Sequence, residues 1–212
     1  MKKVLLGIFI LSSIAMAKEN TNVYLKAGLD LYGRFKEIKD ENINITKSER
    51  KNLGYEFSIE ATQNIVPNFE LGVGVGFQEH GKPKPGNNIG GEFAKLSSFK
   101  SIPLYVTAKY DFPLVSEWKP YFKTDLGYSF NLKSKKTLYS DEDFNLKSEY
   151  NNGIYWGAGF GVEYNNVVAD LMYKMNYGKV KFTENSNGKI RSKSSKIDYG
   201  RVTLSVGYKF NF

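Results

Sequence analysis

Residues 199–212 read YGRVTLSVGYKFNF. Val202, Leu204, Val206, Tyr208, Phe210 and Phe212 alternate with Arg201, Thr203, Ser205, Lys209 and Asn211. That period of two puts successive side chains on opposite faces of a strand, one face apolar and the other polar. Working back towards the N-terminus, the same alternation recurs in Val167–Tyr177, Ile154–Tyr164, Pro120–Leu132, Ile102–Phe112, Phe69–Gln78, Leu53–Gln63 and Val23–Phe35. No convincing helical period occurs after residue 18. The reading is all-β, with eight strands of about ten residues or slightly more, which suits a tilted membrane-spanning strand. Pro103 lacks a ladder donor and predicts a strand end or a bulge near the start of the fourth run.

The connections alternate as the strands do. Lys36–Asn52, Glu79–Ser101, Lys133–Gly153 and Gly178–Asp198 are long, polar and charged. Asn64–Asn68, Pro113–Lys119 and Asn165–Asn166 are short and carry Asn and Pro turn chemistry. Long and short connections therefore lie at opposite ends of one antiparallel up-and-down sheet, which an even strand number closes with both termini at the short-turn end.

Alternation leaves open which face is outside, because a soluble barrel holds its apolar face inward. Three features favour the inverted, transmembrane β-barrel. Apolar-face aromatics fall at the strand ends: Phe69, Tyr110, Phe112, Phe122, Tyr164, Tyr208, Phe210 and Phe212 at one end, and Phe35, Tyr55, Phe77, Phe130, Trp156 and Tyr177 at the other. Two girdles of rings flanking Leu, Val and Ala suit two bilayer interfaces. Glycines 72, 74 and 76, and 157, 159 and 161, lie on the polar face, where small residues relieve crowding inside a narrow barrel. Finally, the chain ends on Phe212, in an alternating strand.

The terminal strand Val202–Phe212, the opening Ile102-Pro-Leu-Tyr105, and Lys119-Pro-Tyr-Phe122 leading to Asp125-Leu-Gly-Tyr128 resemble the small eight-stranded outer-membrane barrels: the OmpA transmembrane domain, OmpX and the opacity-type surface proteins. The resemblance covers nearly the whole chain after the leader. It implies an outer-membrane location with extracellular long loops and periplasmic termini, and outer-membrane lipid and lipopolysaccharide as partners. It further implies that Tyr208, Phe210 and Phe212 form a signal similar to that read by the barrel-assembly machinery.

The N-terminus fits export. Lys2 and Lys3 precede the apolar run Val4–Ile14, and Ala15-Met16-Ala17 supplies small residues for cleavage before Lys18. This divides the chain into a signal peptide, 1–17, and a barrel domain, 18–212. Export argues against a nucleic-acid partner despite a formal charge of +8. Mean hydropathy of -0.42 disfavours a bundle of membrane helices but not a barrel. With no Cys and one His, thiol chemistry and Cys-based zinc sites are absent.

If the polar face is lumenal, it carries Lys26, Arg34, Lys109, Lys123, Lys174, Arg201 and Lys209 against Asp30, Glu56, Glu60, Glu70, Asp111, Asp125, Glu163 and Asp170. Eight strands leave an interior that side chains can fill, and near-balanced charges there pair with one another. A plugged, structural lumen is expected; the alternative is a narrow ion or small-solute channel. Lipid-modifying barrel enzymes resemble this fold but need a His with Ser or an acid. His80, near Glu79, Ser97 and Ser98, reads as a polar loop residue. Asp141-Glu142-Asp143 lacks EF-hand spacing and reads as a solvated charge run. No enzyme activity, cofactor or metal is expected. The fourth long loop holds Lys181, Lys189, Arg191, Lys193 and Lys196 against Glu184, a net of +4. It reads either as a solvated loop or as a contact for host or surface polyanions, in adhesion or surface recognition. A monomer is expected.

Overall fold

A computed structural model shows a closed antiparallel barrel. It describes residues 20–212 apart from 38, 41–42, 45, 51, 86–97, 115–116, 133–135, 141–143 and 187–188. The leader positions Ala15, Ala17 and Lys18, the acidic run 141–143 and Ser97 lie outside the described residues.

The wall consists of β1 (Thr21–Phe35), β2 (Tyr55–Val66), β3 (Phe69–Glu79), β4 (Lys100–Asp111), β5 (Trp118–Asn131), β6 (Gly153–Tyr164), β7 (Val167–Asn176) and β8 (Tyr199–Asn211). Each pairs with its sequence neighbours, and β8 returns to β1. Closure leaves no free edge along the wall, so backbone groups are satisfied without water, as a membrane span requires. Two of the turns at one end are tight. Asn165 and Asn166 both take positive φ (46° and 68°), the two-residue geometry whose twist matches a hairpin and which Asn tolerates. Asn68 does the same after Pro67 (φ 64°). The turn expected over Asn64–Asn68 is therefore shorter, and β2 runs on to Val66 through an irregularity between Asn64 and Val66.

At the other end the long connections are not all irregular. Thr46–Arg50 and Pro83–Pro85 pair beyond β1. Lys136–Ser140, Phe144–Asn151, Lys179–Ser186 and Lys189–Lys196 form a second, four-stranded sheet. Alternation within 179–196 is weak, so long-range pairing with 144–151 decides those strands rather than local pattern.

The faces are inverted relative to a soluble barrel. Leu25, Leu29, Phe57, Leu71, Val106, Leu126, Phe160, Leu171 and Leu204 are exposed on the outside, whereas the charged alternate positions are buried in the lumen. In β1 the pattern breaks. Between Asp30 and Tyr32 the pairing of β1 with β8 slips by one residue. A bulge inserts one residue and reverses the side-chain phase beyond it. Arg34, expected in the lumen, is therefore exposed on the outside, and Phe35, expected in the outer girdle, is buried within. Pro103 produces neither a strand end nor a bulge. It is the fourth residue of β4, and the register with β3 is the same on both sides of it, with ladder pairs missing only at Ile102 and Pro103.

Candidate functional site

The lumen is built from side chains that the period of two turns inward. Among the described residues, six cations and seven carboxylates are buried there: Lys26, Lys109, Lys123, Lys174, Arg201 and Lys209, with Asp30, Glu56, Glu60, Glu70, Asp125, Glu163 and Asp170. Asp111 is half-buried near the short-turn end. The groups form three tiers. Nearest the short turns, Lys109 lies 3.2 Å from both Glu70 and Glu163. Lys209 lies 3.1 Å from Glu70 and 3.3 Å from Glu163. Asp111 reaches Lys109 at 2.8 Å. In the middle, the signs alternate along Asp170, Lys26, Glu60, Lys123 and Asp125, with separations of 2.7, 3.1, 2.7 and 3.0 Å. Nearest the long loops, Arg201 spans Asp30 (3.2 Å) and Glu56 (3.1 Å), and Lys174 pairs with Glu56.

Carboxylates outnumber cations, and further donors come from Thr62, Thr107, Thr203, Ser205 and Gln78 and from five tyrosines. Tyr24 donates to Glu70 (2.8 Å), Tyr105 to Glu60 (2.9 Å), Tyr155 to Asp125 (3.3 Å) and Tyr199 to Asp30 (3.2 Å); Tyr121 donates to Asp170. Hydrogen bonds to the charged form offset part of the desolvation cost of a buried carboxylate. Tyr105 and Tyr121 occupy space left by glycine across the strand pair. A Cβ on Gly74 would come within 2.5 Å of the Tyr105 ring, and one on Gly161 within 2.4 Å of the Tyr121 ring. The five tyrosines were legible by parity, since each falls on the polar face of its run, but composition assigns tyrosine to the girdles first.

Above the outer tier, the lumen is capped. Phe35, Phe99, Val180, Ile197 and Tyr199 form a buried apolar cluster. His80 belongs to this cap: it is fully buried (0% exposed), with its ring 4.9 Å from Phe99 and 4.8 Å from Tyr199. It is therefore not the exposed loop residue expected. Its hydroxyl partner is Ser101, at 2.8 Å from Nε2. Arg201 Nη1 stands 3.2 Å from Nδ1. A guanidinium can only donate, so Nδ1 accepts and the proton sits on Nε2, which donates to Ser101; Ser101 in turn donates to Gln78 (3.1 Å). In that tautomer the imidazole cannot take the proton of Ser101, so the pair is a structural hydrogen bond rather than a nucleophile with its base. Burial, and then the Arg201 charge, hold the imidazole well below its ordinary pKa.

The five basic positions of the fourth loop are brought onto one hairpin, in whose register Lys196 pairs with Lys179, Lys181 with Ser194, Lys193 with Phe182, Arg191 with Glu184 and Lys189 with Ser186. Lys181, Lys193 and Lys196 are exposed. Tyr208, Phe210 and Phe212 are exposed on the outer face at the short-turn end, where Tyr208 and Phe210 meet edge to face at 4.8 Å. Trp118 and Tyr164 stack at 4.6 Å.

The model of the outer membrane protein beta-barrel domain family matches residues 4–210. The chain belongs to that family. It is 32% identical over 238 aligned positions to "Uncharacterized protein PM1543" of Pasteurella multocida (strain Pm70), covering 99% of this chain and 98% of that one. Among solved structures it is similar to the outer membrane protein AlkL, determined by solid-state NMR in DMPC bilayers (TM-score 0.54, 13% identity, 92% of each chain). It is also similar to OprG of Pseudomonas aeruginosa (TM-score 0.52, 15% identity, 92% of this chain and 98% of that one). These structural likenesses concern the fold. Membership of the family makes this an outer-membrane barrel.

Proposed function

We propose that the protein is a non-enzymatic outer-membrane barrel that presents its long loops at the cell surface, with residues 181–196 as the contact for anionic polymers. The observation that carries this reading is the division of charge. The lumen is nearly balanced and internally paired, while the fourth loop keeps a net +4 on a hairpin whose Lys181, Lys193 and Lys196 are exposed. Such a surface attracts lipopolysaccharide phosphates or acidic glycans, and the attraction weakens with salt. In this reading residues 1–17 are removed before Lys18, and the short turns and termini are periplasmic. Tyr208, Phe210 and Phe212 engage the assembly machinery, and the barrel works as a monomer.

Binding of the folded protein to immobilised heparin tests the loop. Neutralising Lys181, Lys189, Arg191, Lys193 and Lys196 to Gln abolishes retention at physiological salt; unchanged retention would falsify the reading. Planar-bilayer recording tests the lumen. The filled interior supports only brief, small events, and a large steady unit conductance from the purified monomer sinks the plugged lumen in favour of a channel.

A further inference from the structure

The outer wall of β1–β4 is not evenly ridged. A groove of about 600 Å³ opens on the outward face, lined by Leu25, Ala27, Phe57, Ile59, Phe77 and Ile102 among others. Its shape follows from the register. Ala27 pairs directly with Phe57, and Phe57 with Phe77, so a methyl group stands beside two rings on one face. Two residues further towards the long loops, the outward row changes character. Tyr55 pairs with Glu79, and Glu79 with Lys100. Tyr55 donates to Glu79 at 3.1 Å and Lys100 lies 2.9 Å from the same carboxylate. The Lys100 side chain is 40% exposed, and an ammonium has three donors, of which Glu79 engages one.

An apolar groove in the long-loop half of the wall, ending at a polar rim with an available ammonium, has the layout of an amphiphile's chain and head. We propose that it holds an acyl chain of one outer-leaflet lipopolysaccharide, with a lipid A phosphate or hydroxyl at Lys100. The occupant follows from depth and charge. The groove faces hydrocarbon, which supplies acyl chains and no other apolar partner in bulk. The rim lies on the long-loop side, which is the outer leaflet. The donors left on Lys100 suit an anionic head rather than a choline or ammonium head. This rests on the orientation proposed above.

The test is native mass spectrometry of the full barrel in phosphatidylcholine nanodiscs with lipid A added. The wild type retains lipid A through detergent exchange. Ala27→Phe fills the groove and loses it, and Lys100→Gln retains several-fold less, with heat-modifiable gel mobility reporting an intact barrel in each. Equal retention by wild type and Ala27→Phe, or retention of phosphatidylcholine in place of lipid A, overturns the proposal. Protease cleavage of residues 181–196 on intact cells reads the orientation independently. A correctly oriented barrel that retains no lipid A therefore overturns the groove and leaves the surface-loop reading standing.

Discussion

Arg34 and Arg201 are both polar-face arginines in sequence, yet one bulged residue gives them opposite surroundings. Arg34 is exposed, whereas Arg201 is 1% exposed and spans Asp30 and Glu56. Removing one member of a buried pair strands the other charge, so Arg201→Ala is expected to cost about 3–5 kcal/mol. Arg34→Ala should stay within about 0.5 kcal/mol, as for an ordinary surface change. Urea unfolding followed by gel mobility checks both, and equal effects would contradict the phase reversal. His80 gives the pH dependence. Its pKa in the fold lies below the value of about 6.5 it has when unfolded, so above that pH both states are neutral and the cap is fully stable. As pH falls below it, the unfolded chain takes up a proton that the buried ring refuses, and stability drops by up to about 1.4 kcal/mol per pH unit. His80→Phe should flatten that part of the profile between pH 7 and 5. A wild-type profile unchanged by the substitution assigns the acid sensitivity to other groups.

At the level of elements, β1 carries the decisive irregularity. Its slip between Asp30 and Tyr32 turns Phe35 in towards Phe99 and Tyr199, with ring centroids at 6.3 and 4.4 Å. Deleting Leu31 removes the extra residue and leaves the pairs beyond it in place, from Tyr32 with Val202 to Phe35 with Tyr199, so Phe35 stays in the cap and Arg34 outside. The expected result is an intact wall whose residues 179–197 are cut by protease no faster than in the wild type; faster cutting would show that the bulge itself holds the cap. Nothing in the local alternation of Val23–Phe35 marks this bulge, because a polar residue at position 34 keeps the parity of a straight strand. The tight turns are the opposite case: Asn165 and Asn166 were legible because few residues accept positive φ at two consecutive positions. β8 is the element whose exposed Tyr208, Phe210 and Phe212 lead out at the short-turn end. If these residues serve assembly rather than stability, Phe212→Ser lowers the amount of folded barrel in cells while leaving refolding into detergent nearly unchanged.

For the whole molecule, the balance of charge and the closure of the wall act together. Ion-pair tiers alternate with tyrosine rings across the lumen; Lys109 sits 4.6 Å from the Tyr121 ring centroid, and Lys26 5.0 Å from that of Tyr24. A path along the axis must therefore break paired charges and then pass the apolar cap. If the lumen is plugged as proposed, opening the cap alone creates no pore. Phe35→Ala combined with Phe99→Ala is expected to raise loop exchange with deuterium without giving steady bilayer conductance. A stable open channel in that variant would place the barrier in the cap instead of the tiers.

Parity and turn chemistry, both carried by local residues, are enough for eight strands, their order and the inverted faces. A side chain on a strand has only two directions, so alternation settles them as long as the register is unbroken. Closure of the barrel settles the rest. The bulge that expels Arg34 and admits Phe35, the tyrosines set against five of the seven buried carboxylates, the burial of His80 and the sheet built from two loops all join residues far apart in the chain. A buried charge or ring is fixed by the partners that compensate it. Those partners become neighbours only when β8 meets β1 and the barrel closes.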